Sequence, residues 1–66
     1  MNKHLEKFKE LFGYGSFRPY KNGIEVRVSD LDASFHQAQQ LIIKQKLKLK
    51  VSDKDVQLRS FVASPK

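Results

Sequence analysis

A chain of 66 residues with no cysteine, 39% hydrophobic residues and a formal charge of +6 has room for one small domain with one thin core. Disulfides and thiolate-based zinc sites are excluded, and an interior deep enough for a buried catalytic pocket is not expected. Thirteen Lys and Arg against seven Asp and Glu favour a polyanionic partner: nucleic acid (DNA or RNA) first, an acidic protein surface as the alternative.

The first predicted element is a helix over 2–12. Asn2 offers an N-cap, and Leu5, Phe8, Leu11 and Phe12 recur at three- and four-residue spacing as one apolar stripe. Gly13 ends the helix, and Gly13-Tyr14-Gly15-Ser16 reads as a flexible turn, with Tyr14 and Tyr20 placed to close over the helix end. Phe17-Arg18-Pro19-Tyr20 is a short extended segment. Pro19 has no N–H for a ladder, so this segment is expected at a sheet edge or as an irregular strand.

Asn22-Gly23 is a strong two-residue hairpin signal. After it, Ile24, Val26 and Val28 alternate with Glu25 and Arg27 as a half-buried strand. Ser29-Asp30-Leu31-Asp32 combines a cap with acid in a first turn, where the helix dipole favours it. It predicts a helix over 31–45, with Leu31, Phe35, Ala38 and Ile42 on one stripe and Leu41 beside it.

Lys46-Leu47-Lys48-Leu49-Lys50-Val51 alternates basic with apolar residues and predicts a strand. Continuation of the helix to Lys50 is the alternative, because no Gly or Pro marks the change. Ser52-Asp53-Lys54-Asp55 reads as a turn, Val56 to Val62 as the final strand, and 63–66 as a disordered C-terminal tail. The order is α-β-β-α-β-β. It predicts a single α+β domain over 1–62, an antiparallel sheet with two helices packed on one face.

If Ile24, Val26, Val28, Leu47, Leu49, Val51, Val56 and Leu58 face the helices, the opposite face carries Lys46, Lys48, Lys50, Arg59 and Phe61. Arg27, Glu25, Arg18 and Tyr20 join it from the first hairpin, and Lys44 extends it from the helix end. Aromatic rings stack on bases while Lys and Arg neutralise phosphates, so this face is the expected nucleic-acid site. Phe61 has the core as its other placement, since a bulge would return it inward. A lysine-rich surface that guards the sheet against edge-to-edge aggregation is the competing reading of the charge.

No nucleophile–base set, metal-ligand spacing or phosphate-binding glycine pattern is present. His4 and His36 fall on separate helices, and the pairs Asp30/Asp32 and Asp53/Asp55 read as a helix cap and a turn. No enzymatic activity, catalytic residue, cofactor or metal is therefore expected. The start MNKHLEKFKELF lacks the apolar core of a signal peptide. The apolar run Leu41-Ile42-Ile43 is far short of the roughly 20 residues that cross a bilayer. A cytoplasmic protein without a membrane partner is expected, and the oligomeric state is left open.

Two segments resemble known families. Leu11-Phe12-Gly13-Tyr14 followed by Phe17-Arg18-Pro19 resembles the adenine-recognising segment of RecQ-type helicases, with Lys21 standing where that segment has glutamine. The order Glu25-Val26, Val28, an Ala-containing helix and a final segment Val62-Ala63-Ser64-Pro65-Lys66 is similar to the layout of the small RNA-polymerase inhibitors of T7-like phages. Those inhibitors are acidic and this chain is basic. The second resemblance implies a small phage or mobile-element inhibitor or adaptor that binds a host protein, as the alternative to nucleic-acid binding.

Overall fold

A computed structural model describes residues 2–13 and 15–66, so Met1 and the expected turn residue Tyr14 lie outside the described residues. The elements are α1 (Lys3–Phe12), β1 (Ser16–Tyr20), β2 (Gly23–Arg27), α2 (Leu31–Lys44), β3 (Leu49–Asp55) and β4 (Ser60–Pro65). The four strands form one antiparallel sheet in the order β1-β2-β4-β3, and both helices contact β4. The α-β-β-α-β-β order, the antiparallel sheet and the edge position of the Pro19 strand are as the sequence predicts.

Local chemistry sets the helix ends. The Asn2 side chain accepts from the N–H groups of His4 (2.7 Å) and Leu5, and Gly13 closes α1 at φ 72° with its N–H donating to the Lys9 carbonyl. Asp30 caps α2 by accepting from Ala33 N–H at 3.2 Å. Leu5, Phe8 and Phe12 of α1 meet Leu31, Ala38 and Ile42 of α2 over Ile24, Val26, Leu49, Phe61 and Ala63 of the sheet. Leu11, expected on the α1 stripe, is instead exposed.

The second hairpin departs from the sequence reading. The tract Ser52–Asp55, expected as a turn, belongs to β3 and pairs with β4 through a bulge, with Asp53 at φ 52°. The chain reverses at 56–59, where Asp55 Oδ1 accepts from Leu58 N–H at 3.0 Å. Val56 and Leu58, expected in the core, are exposed, and Ala63, Ser64 and Pro65, expected as a disordered tail, belong to a central strand. The cause is the phase of β4. Pairing fixes that strand so that Phe61 and Ala63 face the helices, fully buried, while Val62 turns to the other side. The larger ring takes the helix side, where the core covers it, and Val62 is buried on the opposite face among its neighbours.

The first hairpin shifts by one residue. Tyr20 pairs with Gly23, so the loop residues are Lys21 and Asn22, with Lys21 at φ 53°. Gly23 serves another purpose. A Cβ there would press on the Ala63 carbonyl and lie 2.8 Å from Ser64 Cα, so its hydrogen lets β2 and β4 approach.

Candidate nucleic-acid interface

The open side of the sheet follows from the register. Three rows cross it: Tyr20, Gly23, Ser64 and Lys50; Arg18, Glu25, Val62 and Ser52; Ser16, Arg27, Ser60 and Asp55. Of the two central strands, β4 contributes only Ser60, Val62 and Ser64, all buried, while β2 contributes Gly23, Glu25 and Arg27, so the floor is small only along the row of Gly23 and Ser64. Taller residues stand at its margins. With strands about 4.8 Å apart, Tyr20 and Lys50 face each other across roughly 14 Å of that floor. Tyr20 is 37% exposed, and Lys21 Nζ lies 5.5 Å from its ring centroid.

The lysine tract does not lie on this face as a continuous stripe. α2 ends in a Schellman motif: Leu47 N–H donates to the Ile42 carbonyl (2.9 Å), Lys46 N–H to the Ile43 carbonyl (3.2 Å), and Lys46 takes the left-handed position at φ 53°. Leu47 and Ile42, the apolar pair that accompanies this motif, are both in the core. The helix therefore stops at Lys44 without a glycine, and residues 46–48 form a connector in place of the expected strand or continued helix. Lys48 is held on both sides, its N–H donating to His4 Nδ1 (3.3 Å) and its carbonyl accepting from Lys66 N–H (3.3 Å).

The result is a basic end of the molecule rather than a basic face. Lys44, Lys46, Lys48 and Lys50 gather where α2 ends and β3 begins. Antiparallel pairing brings Lys66 beside them and places the Lys21 loop and Tyr20 at the same end of the sheet. The N-terminus of α1 also lies here, tied through His4 to Lys48, and its dipole adds positive potential. Every aspartate sits at the other end: Asp30 and Asp32 where α2 starts, Asp53 and Asp55 where β3 finishes. Lys54 is ion-paired to Asp32 there.

Of the expected site residues, Lys44, Lys46, Lys48, Lys50 and Tyr20 are brought to one end, and Arg18 lies one row along the open face. Arg59 is separated from them, in the 56–59 turn at φ 53° beside the aspartates. Arg27 is in the far row with its Nε 3.4 Å from Glu25 Oε1. Phe61 is corrected from the open face to the core, edge-on to the rings of Phe12 and Phe35 at 6.2 and 5.5 Å, and cannot stack on a base. Sequence reasoning missed Lys21 and Lys66. The hairpin signal beside Lys21 was the available clue to the first, and no local pattern pointed to the second.

A cleft of about 310 Å³ opens between α1 and the first hairpin, lined by Leu5, Phe17, Pro19 and Ile24 with Lys9, Arg18 and Lys21 at its rim. Phe17 and Pro19, part of the helicase-like segment, thus face α1 and not the open sheet. Among the described residues no group of three His, Cys, Asp or Glu side chains could hold a metal ion, and no helix is long and apolar enough to cross a membrane. Comparison with protein-family models, with curated proteins and with solved structures returned no significant match.

Proposed function

We propose that the protein binds nucleic acid, single strands in preference to duplexes, through the lysine end and the adjoining row of the open face. The observation that carries this reading is the clustering of lysines: Lys21, Lys44, Lys46, Lys48, Lys50 and Lys66 gather at one end, where the first turn of α1 brings Glu6, and every aspartate lies at the other end with Lys54 and Arg59. A solvated lysine surface interleaved with acid would have only a weak local field. This one leaves its cations largely without partners and sets a half-exposed tyrosine beside them. Flexible ammonium groups would follow phosphates, the small floor of Gly23 and Ser64 would admit the backbone, and Tyr20 would stack on a base.

The action is non-catalytic on this reading, and a cytoplasmic setting goes with it. Strand addition to a host protein is the less favoured route. Pro19 removes an outward N–H from the β1 edge, and the bulge at Asp53 with Lys50 and Lys54 interrupts the β3 edge.

The test is a titration with labelled single- and double-stranded oligonucleotides at several salt concentrations. Binding should weaken steeply with salt. Lys46→Gln/Lys48→Gln/Lys50→Gln should flatten the log–log slope on single strands by about 0.7 for each phosphate no longer neutralised. Tyr20→Ala should weaken single-strand binding by about 1–3 kcal/mol and leave the salt slope unchanged. Absence of binding at low salt to every oligonucleotide, with a stoichiometric protein partner recovered from nuclease-treated lysate, would replace this reading with the host-protein one.

A further inference from the structure

The two ends of the sheet differ in charge, and each also exposes apolar side chains. At the acidic end the 56–59 turn holds out Val56, 76% exposed, and Leu58, 49% exposed. A shallow depression between this turn and the start of α2 is lined by Asp30, Asp32, Val56 and Arg59. At the basic end Ile43 is 69% exposed, beside a groove completed by Ile42, Leu49, Val51, Lys50 and Lys66. Lys44 follows Ile43 directly and Lys46 lies in the turn after it.

We propose that the acidic tip of one copy docks on the Ile43 groove and lysine end of a second copy, head to tail. Complementarity selects this occupant. Val56 and Leu58 offer an apolar tip among Asp30, Asp32, Asp53 and Asp55, which outnumber Lys54 and Arg59 there, and Ile43 with its groove offers an apolar seat within ammonium groups, whereas tip-to-tip and groove-to-groove contacts oppose like net charge. The contact joins two different surfaces, so it is heterologous and leaves a free tip and a free groove on the terminal copies. A few apolar side chains bury far less than the ~800 Å² per partner of a stable complex. The association is therefore weak and is loosened by salt. The groove belongs to the end assigned to nucleic acid, so the tip of a neighbouring copy competes with nucleic acid for it. That competition rests on the function proposed above; the self-association does not.

Sedimentation of the wild-type chain, the tip variant Asp53→Lys/Val56→Arg and the groove variant Ile43→Glu/Lys50→Glu tests the proposal, with circular dichroism confirming each fold. All the substituted positions are exposed. The wild type should grow heavier with concentration at low salt and return to monomer at high salt. Each variant alone should remain monomeric, because its altered surface opposes like charge, and an equimolar mixture of the two should associate again, because an intact tip then meets an intact groove and the two charge-reversed surfaces are complementary as well. A wild type that stays monomeric, a variant that still associates by itself, or a mixture that stays monomeric overturns it. Oligonucleotide added to the associated wild type should disperse it. Binding without dispersal overturns the competition alone, and no binding overturns the nucleic-acid reading while leaving head-to-tail docking standing.

Discussion

The backbone N–H of Lys48 donates to Nδ1 of His4 across 44 positions of chain, at 3.3 Å. This bond ties the first turn of α1 to the connector between α2 and β3, so a helix that contributes no residue to the sheet fixes where the lysine tract emerges. The bond is exposed, and its net contribution is small, about 0.5–1 kcal/mol.

His4→Ala should therefore lower unfolding stability by that small amount in denaturant titration. Its larger effect is local. The Lys48 amide should lose hydrogen-exchange protection while amides in β4 keep theirs. Equal loss at both would mean that His4 supports the whole fold and not the connector.

Gly13 and Gly23 lack a side chain for opposite reasons, and substitution separates them. Gly13 sits at φ 72° with nothing nearer than 3.9 Å to a built Cβ, so Gly13→Ala meets only the backbone penalty of about 1 kcal/mol. Gly23 has no positive φ, yet its Cβ would lie 2.8 Å from Ser64 Cα and closer to the Ala63 carbonyl. Gly23→Ala must push β2 from β4 and should cost more, about 1–3 kcal/mol, read from the midpoint of thermal or denaturant unfolding.

Phe61 distinguishes a core ring from a stacking ring. Its full burial against Phe12 and Phe35 predicts that Phe61→Ala costs about 3–5 kcal/mol. A 66-residue domain is stable by only about 3–10 kcal/mol, so that variant is close to unfolding. Phe61→Leu keeps an apolar side chain and should leave a folded, less stable protein. Its affinity for single strands should match the wild type once both are fully folded. A loss of affinity comparable to that of Tyr20→Ala would contradict the placement of Phe61 in the core.

The fold was legible wherever a local signal and a burial pattern agreed: Asn2 and Gly13 around an apolar stripe, Asp30 before another, Pro19 on an edge. It was not legible where two patterns competed for one segment. The alternation from Lys46 to Val51 satisfies a strand template, but Ile42 and Leu47 also satisfy the apolar contact of a Schellman motif, and the motif prevailed because it buries both. In the last hairpin, Val56, Leu58 and Val62 share one phase and Phe61 with Ala63 the other. Side-chain volume decided between them, which alternation alone does not weigh. The charge content of the site was visible in the sequence, but its geometry was not. Lys21 and Lys66 reach the other lysines only through antiparallel pairing.

Lys46 carries the sharpest consequence of that helix end. A residue with a Cβ at φ 53° is strained, and glycine there would remove the strain while leaving both Schellman hydrogen bonds in place. Lys46→Gly should raise stability by about 0.5–1 kcal/mol, although glycine also makes the unfolded chain more flexible and offsets part of the gain. The same change deletes one cation from the lysine end and should weaken oligonucleotide binding at low salt. Lys46→Gln is the control, because it loses the charge and keeps the strain. Both variants should bind equally weakly, and only the glycine variant should unfold at higher denaturant than the wild type. Matching stabilities for the two would show that Lys46 does not hold the left-handed position.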